Sequence, residues 1–325
     1  MKIIRWGMIG VGDVTEVKSG PALYKTAGSS LIAVTSRTLH KAEDYAKRHQ
    51  VANVYPDVDA LLSDPDIDIV YVATPPSTHQ AFAIAAMEAG KAVYVEKPMA
   101  MTSAEAEAMT HIAQQTGKSL YVAFYRRALP YFQKIQELLA SQVLGKILTV
   151  SVRLIRPPFD SDLDPAKHTW RINKHVGGDG YFVDMAPHTL DILDYLLSPI
   201  KTVHGHAANL AGHYEVADTV NAVWTHENGI LGNGVWCFSS LEANAEDSII
   251  ITGTEGQVKF GTFDMKPIEL TTQKGKDFFD FERPAYIQQA LIETIVGELQ
   301  GNGSCPSTGI TALRTTRVVE KIVGQ

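Results

Sequence analysis

Three side chains suited to proton transfer occur in the middle of this chain: Lys97, Asp184 and His188. Lysine and histidine exchange protons near neutral pH when their surroundings adjust their pKa values, and an aspartate can orient a histidine. Asp184 and His188 are four residues apart, so a helix would place them on one face. Together these residue types are suited to taking a proton from a hydroxyl group.

Each of these residues also has an ordinary structural interpretation. Lys97 belongs to the triplet Glu-Lys-Pro at 96–98, and an isolated Glu-Lys pair is usually a surface ion pair. An Asp-His pair is more often structural than catalytic, and Pro187 predicts that a helix starts or kinks there, over 187–197. Three glycines just before Asp184 favour the functional interpretation, because glycine lets a backbone approach a ligand closely. They are Gly177, Gly178 and Gly180.

The elements that must position these residues begin with a glycine turn after the first predicted strand, 3–9. Gly10, Gly12 and Thr15 occupy the G-x-G-x-x-G positions, with Thr15 in place of the third glycine. A backbone that turns tightly after a strand lets a dinucleotide pyrophosphate lie against the start of the next helix. We therefore expect Gly10, Gly12, Asp13 and Val14 to contact a dinucleotide, and a plain structural turn is the alternative.

The end of the second predicted strand, 31–35, indicates which dinucleotide binds. An NAD enzyme usually carries an acidic residue there, which binds the ribose 2′-hydroxyl. This chain has no carboxylate between Ser29 and Lys41, and has instead Ser36, Arg37 and Lys41. Since a guanidinium matches phosphate geometry, the pattern favours NADP over NAD. A solvated arginine at the strand end is the alternative.

Further cofactor contacts are expected at the carboxyl ends of two more predicted strands, because ligands of open parallel sheets lie beyond those ends. Thr74, Pro75 and His79 follow the strand at 67–73, and a helix-capping role is the alternative for His79. Glu96 and Lys97 follow the strand at 92–95. A partly desolvated lysine beside a bound nicotinamide would have a lowered pKa and would polarise a reacting oxygen.

Composition excludes several classes of protein. The chain has 325 residues, 45% hydrophobic and 20% charged, which favours two globular domains. A net charge of −7 lacks the basic footprint that nucleic-acid binding requires. Its two cysteines form no C-x-x-C pair and His204, His206 and His213 have no companion ligands, so no metal site is expected. We expect no membrane span, no signal peptide and a cytoplasmic location.

The pattern of predicted elements changes near residues 123–130. Before that point, strands at 3–9, 31–35, 67–73, 92–95 and 120–124 alternate with helices such as 41–49 and 79–89, which predicts a parallel sheet covered on both faces. After it, strands dominate and Asn228-Gly229 indicates a hairpin, which predicts a mainly antiparallel sheet. Its predicted strands are 147–156, 202–209, 220–226, 230–238, 248–252 and 257–260. Helices are predicted at 131–140, 187–197, 285–299 and 311–323.

These motifs in this order resemble the glucose-fructose oxidoreductase, inositol dehydrogenase and rhizopine-catabolism family, Gfo/Idh/MocA. The resemblance rests on the glycine turn, Thr74-Pro75-Pro76 with His79, Glu96-Lys97-Pro98, Trp170-Arg171, the segment from Gly177 to His188, and Gly253-Thr254-Glu255-Gly256. It implies an α/β fold: a Rossmann domain with a doubly wound parallel sheet, over 1–123, then an α/β domain with a large, mostly antiparallel sheet, over 124–325. The second domain would bind substrate and form a homodimer or tetramer through its sheet.

The resemblance also implies an activity. Family members are mostly NAD(P)-dependent oxidoreductases of sugars, polyols or cyclic alcohols, with a catalytic lysine matching Lys97 and a catalytic or substrate-binding pair matching Asp184 and His188. Tyr125 stands where the family often has asparagine, before Arg126 and Arg127. Substrate contacts are expected at Tyr125, Arg126, Trp170 and Arg171.

The resulting hypothesis is hydride transfer between NADP and a hydroxyl-bearing carbon of a sugar, polyol or cyclic diol. His188 would accept the hydroxyl proton while Lys97 stabilises the alkoxide and Asp184 orients histidine or substrate. Lys97 as the base is an equal alternative. Two other functions fit the same fold: a nucleotide-binding regulator without catalysis, and a glycosidase that uses bound NAD for transient oxidation.

Overall fold

The computed structural model describes residues 2–174 and 179–324. Within these ranges the chain forms two compact units. The first unit consists of Met1–Leu129 and Pro284–Leu313, and the second of Pro130–Arg283 and Arg314–Gln325. A late segment of the chain therefore belongs to the first unit. The predicted assignment of 1–123 to cofactor binding and of 124–325 to substrate binding stays a prediction about function.

The first unit is built on a six-stranded parallel sheet with the order β3-β2-β1-β4-β5-β6. The interior strands β4 and β5 are buried along their whole length, as their continuous apolar sequences require when helices cover both faces. The strands are β1 Ile4–Ile9, β2 Ser29–Thr35, β3 Asn53–Val54, β4 Ile69–Val72, β5 Ala92–Val95 and β6 Leu120–Val122.

The second unit carries an eight-stranded sheet with the order β14-β13-β12-β11-β7-β10-β9-β8. Its neighbouring strands are antiparallel except for β7 and β10, which are parallel. The strands are β7 Ile147–Ile155, β8 Ile200–Ala208, β9 Thr219–His226, β10 Leu231–Cys237, β11 Glu246–Gly253, β12 Gly256–Phe260, β13 Ile268–Thr272 and β14 Gly275–Phe279. The two sheets confirm the predicted fold class.

Helices accompany both sheets. In the first unit, α5 and α6 pack over β4, β5 and β6, where Met87, Val93 and Met109 are part of one apolar core. The helices in the described ranges are α1 Asp13–Val17, α2 Gly20–Lys25, α3 Leu39–His49, α4 Val58–Leu62, α5 His79–Glu88, α6 Ser103–Thr116, α7 Pro130–Ala140, α8 Tyr181–Leu196, α9 Gln289–Leu299 and α10 Gly309–Val323.

Helix α8 differs from its prediction at the end that matters for the site. It begins at Tyr181, six residues before the predicted start, and Pro187 lies inside it. Tyr181 and Phe182 are buried, and burying these aromatic side chains offsets the backbone hydrogen bond that a proline removes. Gly180 precedes the helix with φ +79°, a value that favours glycine.

Three strands were not predicted from the sequence: β3, β13 and β14. β3 is only two residues long, and four of the five residues of β14 are exposed, so neither shows an apolar run or a clear alternation. The predicted hairpin at Asn228-Gly229 is present between β9 and β10, with Gly229 at φ +88°.

Candidate active site and coenzyme site

The two glycines of the turn after β1 are required for different reasons. Gly10 has φ +97°, and a Cβ there would lie 2.8 Å from the Ala73 carbonyl oxygen. Gly12 has φ −106° and ψ −174°, which any residue adopts, and a Cβ there would meet nothing within 4 Å. The backbone conformation thus requires glycine at position 10, whereas at position 12 the missing side chain keeps space open beside the turn.

Thr15, which replaces the third glycine of the motif, stabilises the turn from inside. It is completely buried, and its hydroxyl donates to the Gly12 carbonyl at 2.7 Å. The glycine that allows close packing in this region is Gly20 at the start of α2. A Cβ there would collide with the Thr15 carbonyl and the Tyr45 hydroxyl. Asp13 is exposed and Val14 half-buried at the start of α1, beside the open space at Gly12.

The carboxyl end of β2 presents positive charge. Ser36 is half-buried, and its hydroxyl accepts a hydrogen bond from the Thr38 backbone N–H at 3.4 Å. Arg37 and Lys41 are exposed, and neither forms an ion pair with a residue in the described ranges. Both cations are therefore available to an anionic ligand such as a 2′-phosphate.

His79 lies between two of the predicted cofactor loops. Its ring is completely buried, with Nε2 2.8 Å from the Thr74 carbonyl and Nδ1 2.9 Å from the Pro98 carbonyl. Burial lowers the pKa of His79, and the nearby carbonyls oppose that shift. Since a neutral imidazole donates only one hydrogen bond, one of the two carbonyls is bonded at a time. The ring thus lies between the loop after β4 and the loop after β5 and donates to one of them at a time.

Glu96 is buried at the carboxyl end of β5 and faces the protein interior. Its Oε1 accepts from the Tyr71 hydroxyl and from Gln288 Nε2, both at 2.7 Å, and its Oε2 accepts from the Lys97 backbone N–H at 3.2 Å. Lys97 itself is half-buried, and the Lys97-Pro98 peptide is cis. Since both carboxylate oxygens are bonded in this way, Glu96 differs from the surface ion-pair partner that the sequence offered as an alternative.

Tyr125 and Arg126, predicted to contact substrate, lie in a short 3₁₀ turn after β6. The side chains are buried, and the Arg126 guanidinium stacks over the Tyr125 ring at 4.9 Å. The adjacent Arg127 donates to the Pro306 carbonyl at 3.1 Å. A substrate role for Tyr125 and Arg126 stays a prediction.

In the second unit, Asp184 and His188 are on the same face of α8, four residues apart, despite Pro187 between them. Arg171 Nε donates to Asp184 Oδ2 at 3.0 Å, and Arg171 is the more exposed partner. Arg171 lies in the 3₁₀ turn Trp170–Ile172. This ion pair joins Arg171, a predicted substrate contact, to Asp184, a predicted catalytic residue.

His188 is buried, and its ring contacts Phe263 edge to face, with the centroids 5.8 Å apart. The loop that carries Phe263 is held by Asp247, whose carboxylate accepts from the backbone N–H groups of Thr262, Phe263 and Asp264. Next along α8, the hydroxyls of Thr189 and Thr262 are 3.0 Å apart. Phe263 and Asp247 therefore help to fix His188, and neither showed a sequence signal, because they lie about 60 to 75 residues further along the chain.

Other predictions concern residues outside these clusters. Gly177 and Gly178 lie outside the described residues. His204 and His206 are exposed on β8, and in the described parts of the chain no group of three or more His, Cys, Asp or Glu residues is arranged to hold a metal ion. Among the helices that the structure describes, none has the length and apolar character to cross a membrane.

Family models match both halves of the chain. Residues 4–124 match the oxidoreductase family with an NAD-binding Rossmann fold, and residues 132–259 match the GFO/IDH/MocA C-terminal domain. The chain belongs to the GFO/IDH/MocA family. It is therefore an NAD(P)-dependent oxidoreductase, and the resemblance seen in the sequence is confirmed.

Individual relatives support the same assignment. An oxidoreductase of Formosa agariphila designated P35 is 34% identical over 323 residues, covering 99% of this chain and 98% of that protein. The trans-1,2-dihydrobenzene-1,2-diol dehydrogenase of Bos taurus is 25% identical, covering 83% and 78%. The 1,5-anhydro-D-fructose reductase of Ensifer adhaerens is 26% identical, covering 94% and 91%.

A solved structure agrees in fold. Levoglucosan dehydrogenase in complex with NADH and levoglucosan superposes with a TM-score of 0.86 at 21% identity, covering 98% of this chain and 95% of that one. At that identity the likeness concerns the fold alone.

Proposed function

We propose that this GFO/IDH/MocA enzyme transfers a hydride between NADP and a hydroxyl-bearing carbon of a sugar, polyol or cyclic diol. The observation that carries the proposal is the pair of exposed cations, Arg37 and Lys41, at the end of β2, where an NAD enzyme usually has a carboxylate. The substrate class follows the relatives, which are named for a dihydrodiol and for an anhydro sugar.

The residues of the first unit fit a nicotinamide dinucleotide. Gly10 and Gly12 leave the turn open for a pyrophosphate, with Asp13 and Val14 beside it, and Ser36, Arg37 and Lys41 would hold the 2′-phosphate. Thr74, Pro75, Glu96 and Lys97 form the loops at the ends of β4 and β5, and the His79 ring lies between carbonyls of those loops. The bound coenzyme supplies the hydride acceptor or donor.

Proton transfer is assigned to this chain's own side chains. His188 takes the hydroxyl proton, and Lys97 donates a hydrogen bond to the developing alkoxide, with the exchange of these two roles as the alternative. Asp184, held by Arg171, orients the histidine or a substrate hydroxyl. Arg171 and Trp170 are the proposed substrate contacts from the same 3₁₀ turn, with Tyr125 and Arg126 from the first unit.

Coenzyme choice is tested by Arg37→Gln, with Lys47→Gln as a matched loss of an exposed cation on the far turn of α3. A charge-assisted hydrogen bond to phosphate is worth about 1.5–3 kcal/mol, so kcat/KM for NADP should fall about 10- to 100-fold while kcat/KM for NAD stays within a factor of about two. Steady-state kinetics with both coenzymes measure this. A wild-type enzyme that prefers NAD, or equal losses in both variants, would contradict the NADP assignment.

Catalysis is tested with a panel of aldoses, inositols and cyclic diols, followed by nicotinamide absorbance. A positioned acid or base contributes about 10²- to 10⁴-fold, so Lys97→Ala and His188→Ala should each lower kcat by that factor on the best substrate. The NADPH dissociation constant of each variant, measured by fluorescence, separates lost chemistry from lost binding. Variants that keep kcat within a few-fold of wild type would refute the assigned roles.

We also infer that the second unit forms a homodimer or tetramer through the open face of its sheet. Strands β9 and β10 alternate buried and exposed residues, and Val223 and Leu231 on the outer face are 56% and 59% exposed. Apolar side chains on an open sheet face favour association with a second copy. Light scattering tests this, and a monomer at all concentrations would contradict it.

A further inference from the structure

Glu96 belongs to a buried polar network whose members come from three separate parts of the first unit. Its carboxylate accepts from Tyr71 on β4 and from Gln288, and Tyr94 on β5 donates to Gln288 Oε1 at 2.6 Å. The tyrosines stack with ring centroids 5.0 Å apart, and Tyr71, Tyr94 and Gln288 are each at most 1% exposed. Buried networks in which every group is bonded hold their members in one arrangement.

Gln288 has only one orientation that suits this network. Its Nε2 lies 2.7 Å from a carboxylate oxygen, and its Oε1 lies 2.6 Å from the Tyr94 hydroxyl. Turning the amide over would place Oε1 against the carboxylate, and two acceptors would then face each other without a proton. The amide of Gln288 therefore donates to Glu96.

The same residue also reaches the helix that follows the glycine turn. The Gln288 backbone N–H donates to the Lys18 carbonyl at 3.3 Å, directly after α1. Next to it, the Ser19 hydroxyl is 2.8 Å from the Tyr71 hydroxyl and 3.1 Å from the Val14 carbonyl. Since Tyr71 donates its one proton to Glu96, Ser19 donates to Tyr71. Gln288 thus contacts both the end of α1 and the carboxylate that bonds to Lys97 N–H.

We propose that Gln288 is a positioning residue of the coenzyme site: its side-chain amide fixes Glu96, and through Glu96 it fixes the backbone at Lys97 relative to the glycine turn. Residue 288 lies outside both matched segments, 4–124 and 132–259. The role assigned to Lys97 rests on the proposed function, whereas the effect on coenzyme binding does not.

The first test compares Gln288→Leu with Gln289→Leu. Gln289 is the next residue and is less buried, and its side-chain amide donates to Glu293 on its own helix at 3.0 Å. Gln288→Leu removes one of the buried donors to Glu96 and removes the Gln288 acceptor of the Tyr94 hydroxyl, so the NADPH dissociation constant should rise or kcat/KM should fall at least tenfold. Gln289→Leu should keep both within twofold. Equal, small effects in the two variants would overturn the proposal.

The second test exchanges the two side chains in the double variant Glu96→Gln/Gln288→Glu. The new amide at position 96 can donate to the new carboxylate and to the Tyr71 oxygen, while Tyr71 turns its proton to Ser19 and Ser19 donates to Val14. Tyr94 still has an acceptor, and the Lys97 N–H still meets an oxygen. Coenzyme affinity should recover at least fivefold over either single variant. A double variant no better than the single ones would overturn the proposal, even if Gln288→Leu fails to fold.

A third readout separates positioning from general stability. In Gln288→Glu two carboxyls face each other and share a proton at low pH, so kcat/KM should fall as pH rises through the pair's apparent pKa. In the described part of the chain, Tyr71, Tyr94 and His79 interact electrostatically with Glu96, and Cys305 and Tyr125 interact with Tyr94. Burial raises the pKa of Tyr71 and Tyr94 well above the ordinary range and that of Cys305 to about 11, and it lowers the pKa of His79.

The pH profile is measured well below the thermal midpoint of each variant, with Gln289→Glu as the control. A falling limb present in Gln288→Glu and absent in wild type and Gln289→Glu supports the proposal, and identical profiles contradict it. If wild type converts no substrate of the panel, the proposed function fails, and the pH dependence of NADPH affinity in the same variants still decides the role of Gln288.

Discussion

At the scale of single residues, Gly10 is required by the backbone conformation, whereas Gly12 is predicted to serve coenzyme binding. Gly12 has an ordinary extended backbone and open space where a side chain would be. Serine is a favoured residue at a helix N-cap, the position Gly12 occupies before α1, so Gly12→Ser should leave the free energy of unfolding within about 1 kcal/mol of wild type. It should nevertheless raise the NADPH dissociation constant at least tenfold, since the new side chain fills space the coenzyme needs.

Gly10→Ala is the matched variant for this prediction. A Cβ at φ +97° and 2.8 Å from the Ala73 oxygen is strained, so this variant should lose about 1–3 kcal/mol of stability. Thermal unfolding and fluorescence titration of both variants measure the contrast. If Gly12→Ser binds NADPH as tightly as wild type, the open space at Gly12 does not hold the coenzyme.

Residue types near the site were predictable from the sequence, but their partners were not. Lys97 and Arg37 stand out because a strand end or a motif places them at an edge where ligands bind. The partners of Glu96 include Gln288, 192 residues away, and no local pattern indicates that contact. His79 likewise reads as a helix-capping or cofactor residue, whereas its burial between two carbonyls depends on two loops meeting in space.

At the scale of elements, the short helix α1 is held against α3 by Glu16. Its carboxylate pairs with Arg48 at 2.7 Å and with His49 at 3.0 Å, so the helix after the glycine turn is tied to the helix after Ser36 and Arg37. Arg48, and then His49, lower the pKa of Glu16 to about 2. Because the pKa is lowered on folding, the stabilisation is present above the ordinary glutamate range near pH 4 and is lost as pH falls toward about 2.

We expect Glu16→Gln to lower the thermal midpoint at pH 7, with a cost of about 0.5–1 kcal/mol because the pair is partly exposed. The difference from wild type should shrink as pH falls from about 5 toward about 2, since Glu16 takes up a proton at higher pH in the unfolded wild type than in the folded one. Differential scanning calorimetry across that pH range measures it. Glu43→Gln, on an exposed position of α3, is the control and should stay close to wild type throughout. A difference that grows toward low pH would contradict the assignment.

The elements themselves were predictable where one physical signal dominated. Strands β1, β4 and β5 were located to within about two residues, because a strand buried on both faces needs a continuous apolar run. Helix α8 was misplaced at its start because Pro187 argued for a boundary, while the packing of Tyr181 and Phe182 was not visible in the sequence. Strand β14 pairs with β13, but most of its residues are exposed and some are charged. Such a sequence is typical of a loop.

At the scale of the whole molecule, the segment Pro284–Leu313 completes the first unit after an excursion through the second. Ser307 donates to the Val122 carbonyl at 2.7 Å, and Tyr121 donates to Glu298 at 2.8 Å, so the segment bonds to the edge strand β6. Ala312 and Leu313 are part of the apolar core of the sheet. The change in the pattern of predicted elements near residue 123 indicates where the first segment of this unit ends. The contacts of Pro284–Leu313 show that this later segment belongs to the same unit.

This late segment makes a prediction about fragments of the chain. A fragment of residues 1–129 lacks Gln288, the partner of Glu96, and leaves the edge of β6 uncovered. It should therefore fail to give a cooperative thermal transition and should bind NADPH at least tenfold more weakly than the whole protein. The same fragment joined to 284–313 by a Gly/Ser linker of about 20 residues should recover both properties, since the linker is flexible and adds little closure cost.

Near-ultraviolet circular dichroism and NADPH fluorescence measure folding and binding in the two fragments. A third fragment, with 284–313 in scrambled order behind the same linker, controls for length and composition. If residues 1–129 alone fold and bind NADPH as well as the joined fragment, the late segment is dispensable, and the first unit would end where the sequence pattern changes. Recovery only with the native order would show that the coenzyme unit is assembled from both segments, because Gln288 and Ser307, which bond to Glu96 and to β6, lie in the late segment.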